Sequence, residues 1–254
     1  GGDWPAQHEK LLRSVSGLCL DGLEKRPDSK TFAWGGKYFD NMNDRETLFT
    51  ELGVLEEKPP EIPYLYQDSR MIFLANSHPS IQLDLLDKFP DRTLAVADTM
   101  DLWINIANNE LHVLLQQLDG FIINDSEAEL ITGISDPIAA GQKILELGPS
   151  FVIVKKGEYG SVLVDKNNTA VLPAFPLAIE DVIDPTGAGD SFAGGFMGYI
   201  ATVNEINFEE MKTAMAWGTV TASFTLQSFG LDGLVKASKD KIRSRMVEFT
   251  EFAK

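Results

Sequence analysis

Val182-Ile183-Asp184-Pro185-Thr186-Gly187-Ala188-Gly189-Asp190-Ser191-Phe192 decides how this chain is read. Two β-branched residues suggest the end of a strand, Gly-Ala-Gly a tight turn, and the residues from Ala188 onward a helix with Phe192, Phe196 and Tyr199 on its apolar face. Such a turn leaves several backbone N–H groups unpaired at the positive end of a helix dipole, where a phosphate or a developing anion is stabilised. Asp190 falls in that first turn. A carboxylate beside an anion hole repels a bound phosphate unless it has another task, and accepting a proton from an attacking hydroxyl is such a task. The pairing points to phosphoryl transfer. Other readings of the same residues are weaker. A dinucleotide fingerprint would need a third glycine where Phe192 stands, and a Walker loop would need Lys-Ser/Thr where Asp190-Ser191 stands. An acid that merely favours the helix dipole remains open for Asp190 on these residues alone.

Working outward, short apolar runs alternate with amphipathic segments. Met71–Leu74, Thr93–Ala97 and Phe121–Ile123 read as buried strands. Ile81–Phe89, Asp101–Leu118, Ser126–Thr132 and Pro137–Leu147 read as helices. That alternation predicts a parallel sheet covered on both faces. Phe151–Val154 and Ser161–Val164 flank the turn Lys155-Lys156-Gly157-Glu158-Tyr159-Gly160 and predict a hairpin, hence antiparallel strands at one sheet edge. Pro5–Val15 reads as a short helix, and Pro59, Pro60 and Pro63 mark a loop. Lys30–Tyr38 reads as a strand pair turning at Gly35-Gly36. Ala188–Thr202, Phe208–Ser228 and Lys239–Phe252 read as the helices of the last third. Asp98 to Trp103 reads as a strand end and helix cap facing the site, with Trp103 in the core.

Composition narrows the class. With 22 Lys+Arg against 38 Asp+Glu the net charge is −16, which excludes a duplex nucleic-acid binder working through a basic face. The uncharged stretch Ser191–Asn204 falls short of the roughly 18 apolar residues a membrane span needs. A single cysteine, Cys19, excludes an internal disulfide and a Cys-based zinc knuckle. His8, His78 and His112 are too scattered for a metal pair. With no basic-then-apolar leader visible, a cytoplasmic location is the expectation.

The segment Asp184–Phe192 resembles the C-terminal signature of the PfkB carbohydrate kinase family, Asp-Thr-x-Gly-Ala-Gly-Asp-x-Phe, departing from it by Pro185 in place of Thr. The resemblance implies a ribokinase-like three-layer α/β/α fold with a mainly parallel central sheet and a small β lid. It implies one domain over residues 1–254, with about residues 28–50 in the lid. It assigns Asp190 as catalytic base and the N–H groups of Gly187, Ala188 and Gly189 as anion hole, with Thr186 beside the nucleotide.

Phe121-Ile122-Ile123-Asn124-Asp125-Ser126-Glu127 resembles the family's Asn-x-x-Glu motif, which implies that Asn124 and Glu127 hold Mg²⁺ through water. The same pair reads equally as a capping box, and one pair can do both. Lys156, Gly157 and Gly160 resemble the family's Gly-x-x-Gly turn beside the nucleotide; an ordinary exposed turn is the other reading. Ser223, on a small-residue helix from Met215 to Phe224, resembles the adenine border, although small residues also serve plain helix packing. Arg45 resembles an arginine near the phosphates in the adenosine-kinase branch. ATP, Mg²⁺ and a monovalent cation are the implied cofactors. A sugar or nucleoside is the implied acceptor, and a homodimer through the lid the implied assembly.

Gly2-Asp3-Trp4-Pro5 resembles the family's Gly-x-Asp-x-x-Gly segment, upstream of which the family has a first core strand, lid strands and a sugar-gripping Asp. The expectation is that the chain as written omits them. A non-catalytic nucleotide- or metabolite-binding regulator on the same scaffold is the competing reading.

Overall fold

A computed structural model describes residues 1–39, 42 and 45–253. A short helix α1 (Ala6–Ser14) leads into a two-stranded sheet, β1 (Ala33–Tyr38) and β2 (Arg45–Glu51), and then into the body. The body is a six-stranded sheet ordered β3 (Met71–Leu74), β4 (Leu94–Ala97), β5 (Gly120–Asn124), β6 (Phe151–Lys155), β7 (Ser161–Asp165) and β8 (Thr169–Leu172). The first four strands run parallel, and β7 and β8 are added antiparallel at one edge.

Side chains alternate strictly across this sheet, as the two-residue strand period requires. Ala95, Ala97, Phe121, Ile123, Val152, Val154, Val162 and Val164 point to one face. There they meet α2 (Pro79–Leu86), α4 (Asn108–Leu115), α5 (Asp125–Thr132) and α6 (Pro137–Leu145). Val96, Ile122, Ile153 and Leu163 point to the other, where Phe192, Phe196 and Ile200 of α7 (Ala188–Ile200) and Met211 and Met215 of α8 (Phe208–Leu226) cover them. Each face must be covered because the central strands are apolar on both, which is why the chain folds as three layers. A satellite cluster of Phe175, Val220, Phe224 and Phe249 seats α10 (Lys239–Phe252) on α8, after the one-turn helix α9 (Asp232–Val235).

Three local readings are corrected. Gly35-Gly36 is not a turn: both glycines lie inside β1, at a register shift against β2. The connection between the two strands falls after Tyr38, where residues 40, 41, 43 and 44 lie outside the described residues. No strand precedes the Gly-Ala-Gly turn. Val182 and Ile183 lie in a loop whose Ile183 and Asp184 N–H groups donate to the Leu226 carbonyl at the end of α8 (2.7 and 3.3 Å). The predicted helix Asp101–Leu118 is broken at Ala107 (φ −132°, ψ 37°) into α3 (Asp101–Ile106) and α4. The cap of α3 is Met100, with no side-chain bond.

Candidate active site

The parallel strands end together at one edge of the sheet, and in such folds ligands bind outside the carboxyl ends of the strands. Residues at or just beyond those ends are Asn76, Asp98, Asn124 and Lys155, the last two register partners across β5 and β6. The N-terminus of α7 arrives at the same edge. Its N-cap, Gly187, is left-handed (φ 79°), a conformation that costs an L side chain about 1 kcal/mol or more. Asp184 shapes the approach by accepting the Thr186 N–H (2.9 Å). Ser191 N–H closes the first helical bond onto Gly187 O (2.9 Å), and Ala188 N–H donates back to Pro185 O (3.1 Å). Ala188 is therefore engaged, whereas the N–H groups of Gly187, Gly189 and Asp190 have no acceptor among the described residues. The anion hole predicted from Gly187, Ala188 and Gly189 is thus corrected at its middle member. The Asp190 carboxylate stands exposed in this first turn.

The capping box is present. Asn124 Oδ1 accepts Glu127 N–H (2.8 Å) and Glu127 Oε2 accepts Asn124 N–H (2.9 Å). It holds a carboxylate that is 7% exposed in a fixed rotamer. Burial raises Glu127 above the ordinary carboxylate range, while Lys155, the Asn124 N–H and Arg45 pull it back. Arg45 thus reaches the electrostatic neighbourhood of Glu127 from β2, its guanidinium 5.5 Å from the Trp34 ring centroid. The two-stranded sheet touches the turn before α7 as well, where Thr186 Oγ1 donates to the Tyr38 hydroxyl (3.4 Å).

The turn after β6 sits at this edge because Lys155 ends that strand. Lys156 N–H donates to Gly160 O (2.7 Å), and the Lys156 ammonium lies 5.9 Å from the Tyr159 ring centroid. Gly160 (φ 89°, ψ −138°) is required on packing grounds, since a Cβ there would lie 2.0 Å from Leu172 O of β8. Ser223 is not brought to the site's surface. It is 1% exposed, donates to Val220 O (2.6 Å) and accepts from Arg245 of α10 (2.9 Å). Its hydroxyl binds helices together, so as placed it offers nothing to a nucleotide.

Sequence reasoning gave three residues no chemical role, although it placed Asp98 at a strand end facing the site. Tyr38 is the contact just described. Asp98 follows β4, 6% exposed, with Oδ1 lacking any partner among the described residues. Its backbone is fixed by Asp98 N–H to Leu74 O (3.3 Å) and by the buried Gln82 amide donating to Asp98 O (3.1 Å). Burial pushes its carboxyl up to about 7, with Asp190 and Glu127 adding to the rise and Lys155 opposing it. Trp103, buried as expected, donates to Asn76 Oδ1 (2.9 Å) beside it. Lys155 is the third: its Nζ lies 2.9 Å from where a Cβ on Gly189 would stand. The signal for both charged residues was position alone, a charge directly at or after an apolar strand run.

No group of three or more His, Cys, Asp or Glu side chains that could hold a metal ion occurs among the described residues. A Mg²⁺ that keeps water and phosphate oxygens as most of its ligands needs only one or two protein carboxylates. The buried Glu127 carboxylate, with the unpartnered Asp98 Oδ1 in its electrostatic neighbourhood, is an all-oxygen set that fits such an ion.

Solved ribokinase-family kinases share this architecture. The structure of a nucleoside kinase from Burkholderia thailandensis in complex with inosine superposes with a TM-score of 0.75 over 98% of this chain and 79% of that one, at 16% identity. The fold is therefore that of the ribokinase-type sugar and nucleoside kinases. The chain belongs to the pfkB family of carbohydrate kinases, whose family model matches residues 91–237. Among named relatives, a cytidine kinase from Thermococcus kodakarensis is 29% identical over 201 residues, 78% of this chain and 70% of that protein. Ribokinase from Mus musculus is 33% identical over 125 residues, 47% of this chain and 38% of the ribokinase. The match thus spans well under two thirds of that ribokinase's length. No helix among the described residues is long and apolar enough to cross a membrane.

Proposed function

We propose that this chain carries the nucleotide-binding and catalytic residues of an ATP-dependent kinase acting on a primary alcohol of a sugar or nucleoside. The observation that carries this reading is the exposed Asp190 carboxylate in the first turn of α7, directly beside unpaired N–H groups. In the reaction, the acceptor oxygen forms a bond to the γ-phosphorus of ATP as the bond from that phosphorus to the ADP oxygen breaks. Asp190 orients the hydroxyl and accepts its proton late in a loose transition state, and the electron pair of the broken bond stays on ADP. The free N–H groups of Gly187 and Gly189 face charge that develops on the phosphoryl oxygens, in a position fixed before the reaction starts. Asn124 and Glu127 would hold Mg²⁺, which supplies charge neutralisation on the phosphates when bound.

The two-stranded sheet acts as a lid through Tyr38 and Arg45, limiting water access and hence wasteful ATP hydrolysis. The turn at Lys156, Gly157 and Gly160 lies where it can border the nucleotide. The nucleoside-kinase relatives favour a nucleoside or ribose-like acceptor.

The test is phosphotransfer from ATP over a panel of sugars and nucleosides, with Asp190→Asn as the variant. Loss of turnover by about 10²-fold or more, with ATP affinity by calorimetry kept within threefold, is the expected result. Full phosphotransfer by Asp190→Asn sinks the base assignment. ATP binding with no transfer to any acceptor favours a regulatory binding protein instead.

A further inference from the structure

We infer that Lys155 is a further catalytic residue, one whose ammonium contacts the phosphoryl group in flight; the inference rests on the kinase reading above. Lys155 is the last residue of β6 and pairs in register with Asn124 and with Ser161. Strand alternation separates it from its neighbour: Lys156 lies over the Tyr159 ring, while Lys155 extends to the start of α7. Its Nζ is 2.9 Å from the position a Gly189 Cβ would take, one residue from Asp190. The side chain is half-buried, and its ammonium has neither ion pair nor hydrogen bond among the described residues.

That placement is electrostatically costly as it stands. The N-terminus of a helix carries roughly half a positive charge, so a cation set against it is repelled. Asp98 and Glu127 offset the repulsion from one side, through space rather than by direct bonds. On the open side, beside the exposed Asp190 carboxylate, the ammonium and the unpaired N–H groups of α7 converge. An anion with charge spread over several oxygens satisfies both at once, and a phosphoryl group midway between donor and acceptor is such an anion. Lys155 contacts charge and transfers nothing. The missing Cβ at Gly189 then has a use beyond helix geometry, since any side chain there would push the ammonium away.

The experiment measures kcat, KM and thermal midpoint for Lys155→Met, Lys155→Arg and Gly189→Ala, with exposed Lys166→Met as control. Lys155→Met is expected to lose about 10²- to 10³-fold in kcat, as removal of one oxyanion donor does, with acceptor KM within threefold. Lys155→Arg is expected to recover part of the loss. Gly189→Ala is expected to lose at least tenfold in kcat at an unchanged or higher midpoint, because only the flexible lysine tip must move; it decides the matter if Lys155→Met does not fold. A kcat within threefold of the unmodified chain in a folded Lys155→Met, or in Gly189→Ala where Lys155→Met does not fold, overturns the inference.

Calorimetric titration with inorganic phosphate separates the two ideas. If the unmodified chain transfers no phosphoryl group, the kinase reading fails by itself. Phosphate binding weakened at least fivefold in Lys155→Met and unchanged in Lys166→Met then still supports the contact. Absent or lysine-independent phosphate binding overturns it.

Discussion

Replacing Asp98 by Asn should make the protein more stable at neutral pH and remove part of its pH dependence. An unfolded aspartate titrates near 3.8, whereas burial holds the folded carboxyl near 7. Between those values the folded state binds the extra proton. The contribution of Asp98 therefore declines as pH rises from about 4 to 7 and is flat above. Three units at 1.36 kcal/mol each set a ceiling of about 4 kcal/mol. Because water reaches partly buried carboxylates, about 1 to 3 kcal/mol is the working expectation.

Asparagine keeps the shape and can still meet the Asn76 N–H, but it never charges. Urea unfolding of both proteins at pH 5 and pH 8, with chelator present to keep metal out, gives two stability differences. Other titrating groups cancel between the pair at each pH. The Asn variant should gain at least about 1 kcal/mol on its parent between pH 5 and pH 8. A difference constant within about 0.5 kcal/mol would refute the claim that Asp98 is held in a desolvated site. The same variant should lose phosphotransfer if the carboxylate is the counter-charge that keeps Lys155 in place.

Two glycines of the site should respond differently to alanine. Gly160→Ala puts a Cβ 2.0 Å from Leu172 O and should cost about 3 kcal/mol or more, read as a large fall in thermal midpoint. Gly187→Ala meets nothing closer than Asp190 Oδ2 at 3.9 Å, so only its positive φ is strained; about 1 kcal/mol of stability is lost while turnover falls further than that. Arg245 stacks on Phe224 (3.8 Å to the ring centroid) and Phe175 (4.9 Å) and donates to Ser223 and Gln227. Arg245→Met should lower stability by about 1 to 3 kcal/mol in chemical denaturation and leave ATP affinity unchanged.

What the sequence disclosed and what it hid divide along the range of the interactions. The helix Ala188 onward, the capping box at Asn124 and Glu127, and the hairpin at Lys156–Gly160 are specified within a few residues, and all were legible. Val182-Ile183 has strand chemistry locally, but no neighbouring strand is in reach; Ile179 O takes the Val182 N–H, and the carbonyl of Leu226, more than forty positions on, takes those of Ile183 and Asp184. Gly35-Gly36 carries the composition of a turn, yet pairing with β2 continues on both sides and absorbs the pair as an irregularity. β8 escaped because Thr169–Leu172 is half exposed and borrows its order from β7. Asp98 was read at a strand end facing the site, but its chemical role and that of Lys155 were hidden for a related reason. Each looks like an ordinary strand-end charge until the parallel register sets β4, β5 and β6 side by side.

The overall charge of −16 and a polyanionic substrate now fit together. Surface charges are screened over about 8 Å at physiological salt, so the acids scattered on the outer helices do not govern the strand ends. There the local balance differs: Arg45, Lys155 and the α7 terminus bring positive charge from three separate elements, against buried Asp98 and Glu127 and exposed Asp190. Burial matters more than number, because interactions among desolvated groups are several times stronger than across water. A site of nearly balanced charges suits a transfer reaction better than a strongly cationic one. In the proposed reaction it holds the phosphates while the phosphoryl group is in flight and still releases ADP and a phosphorylated product.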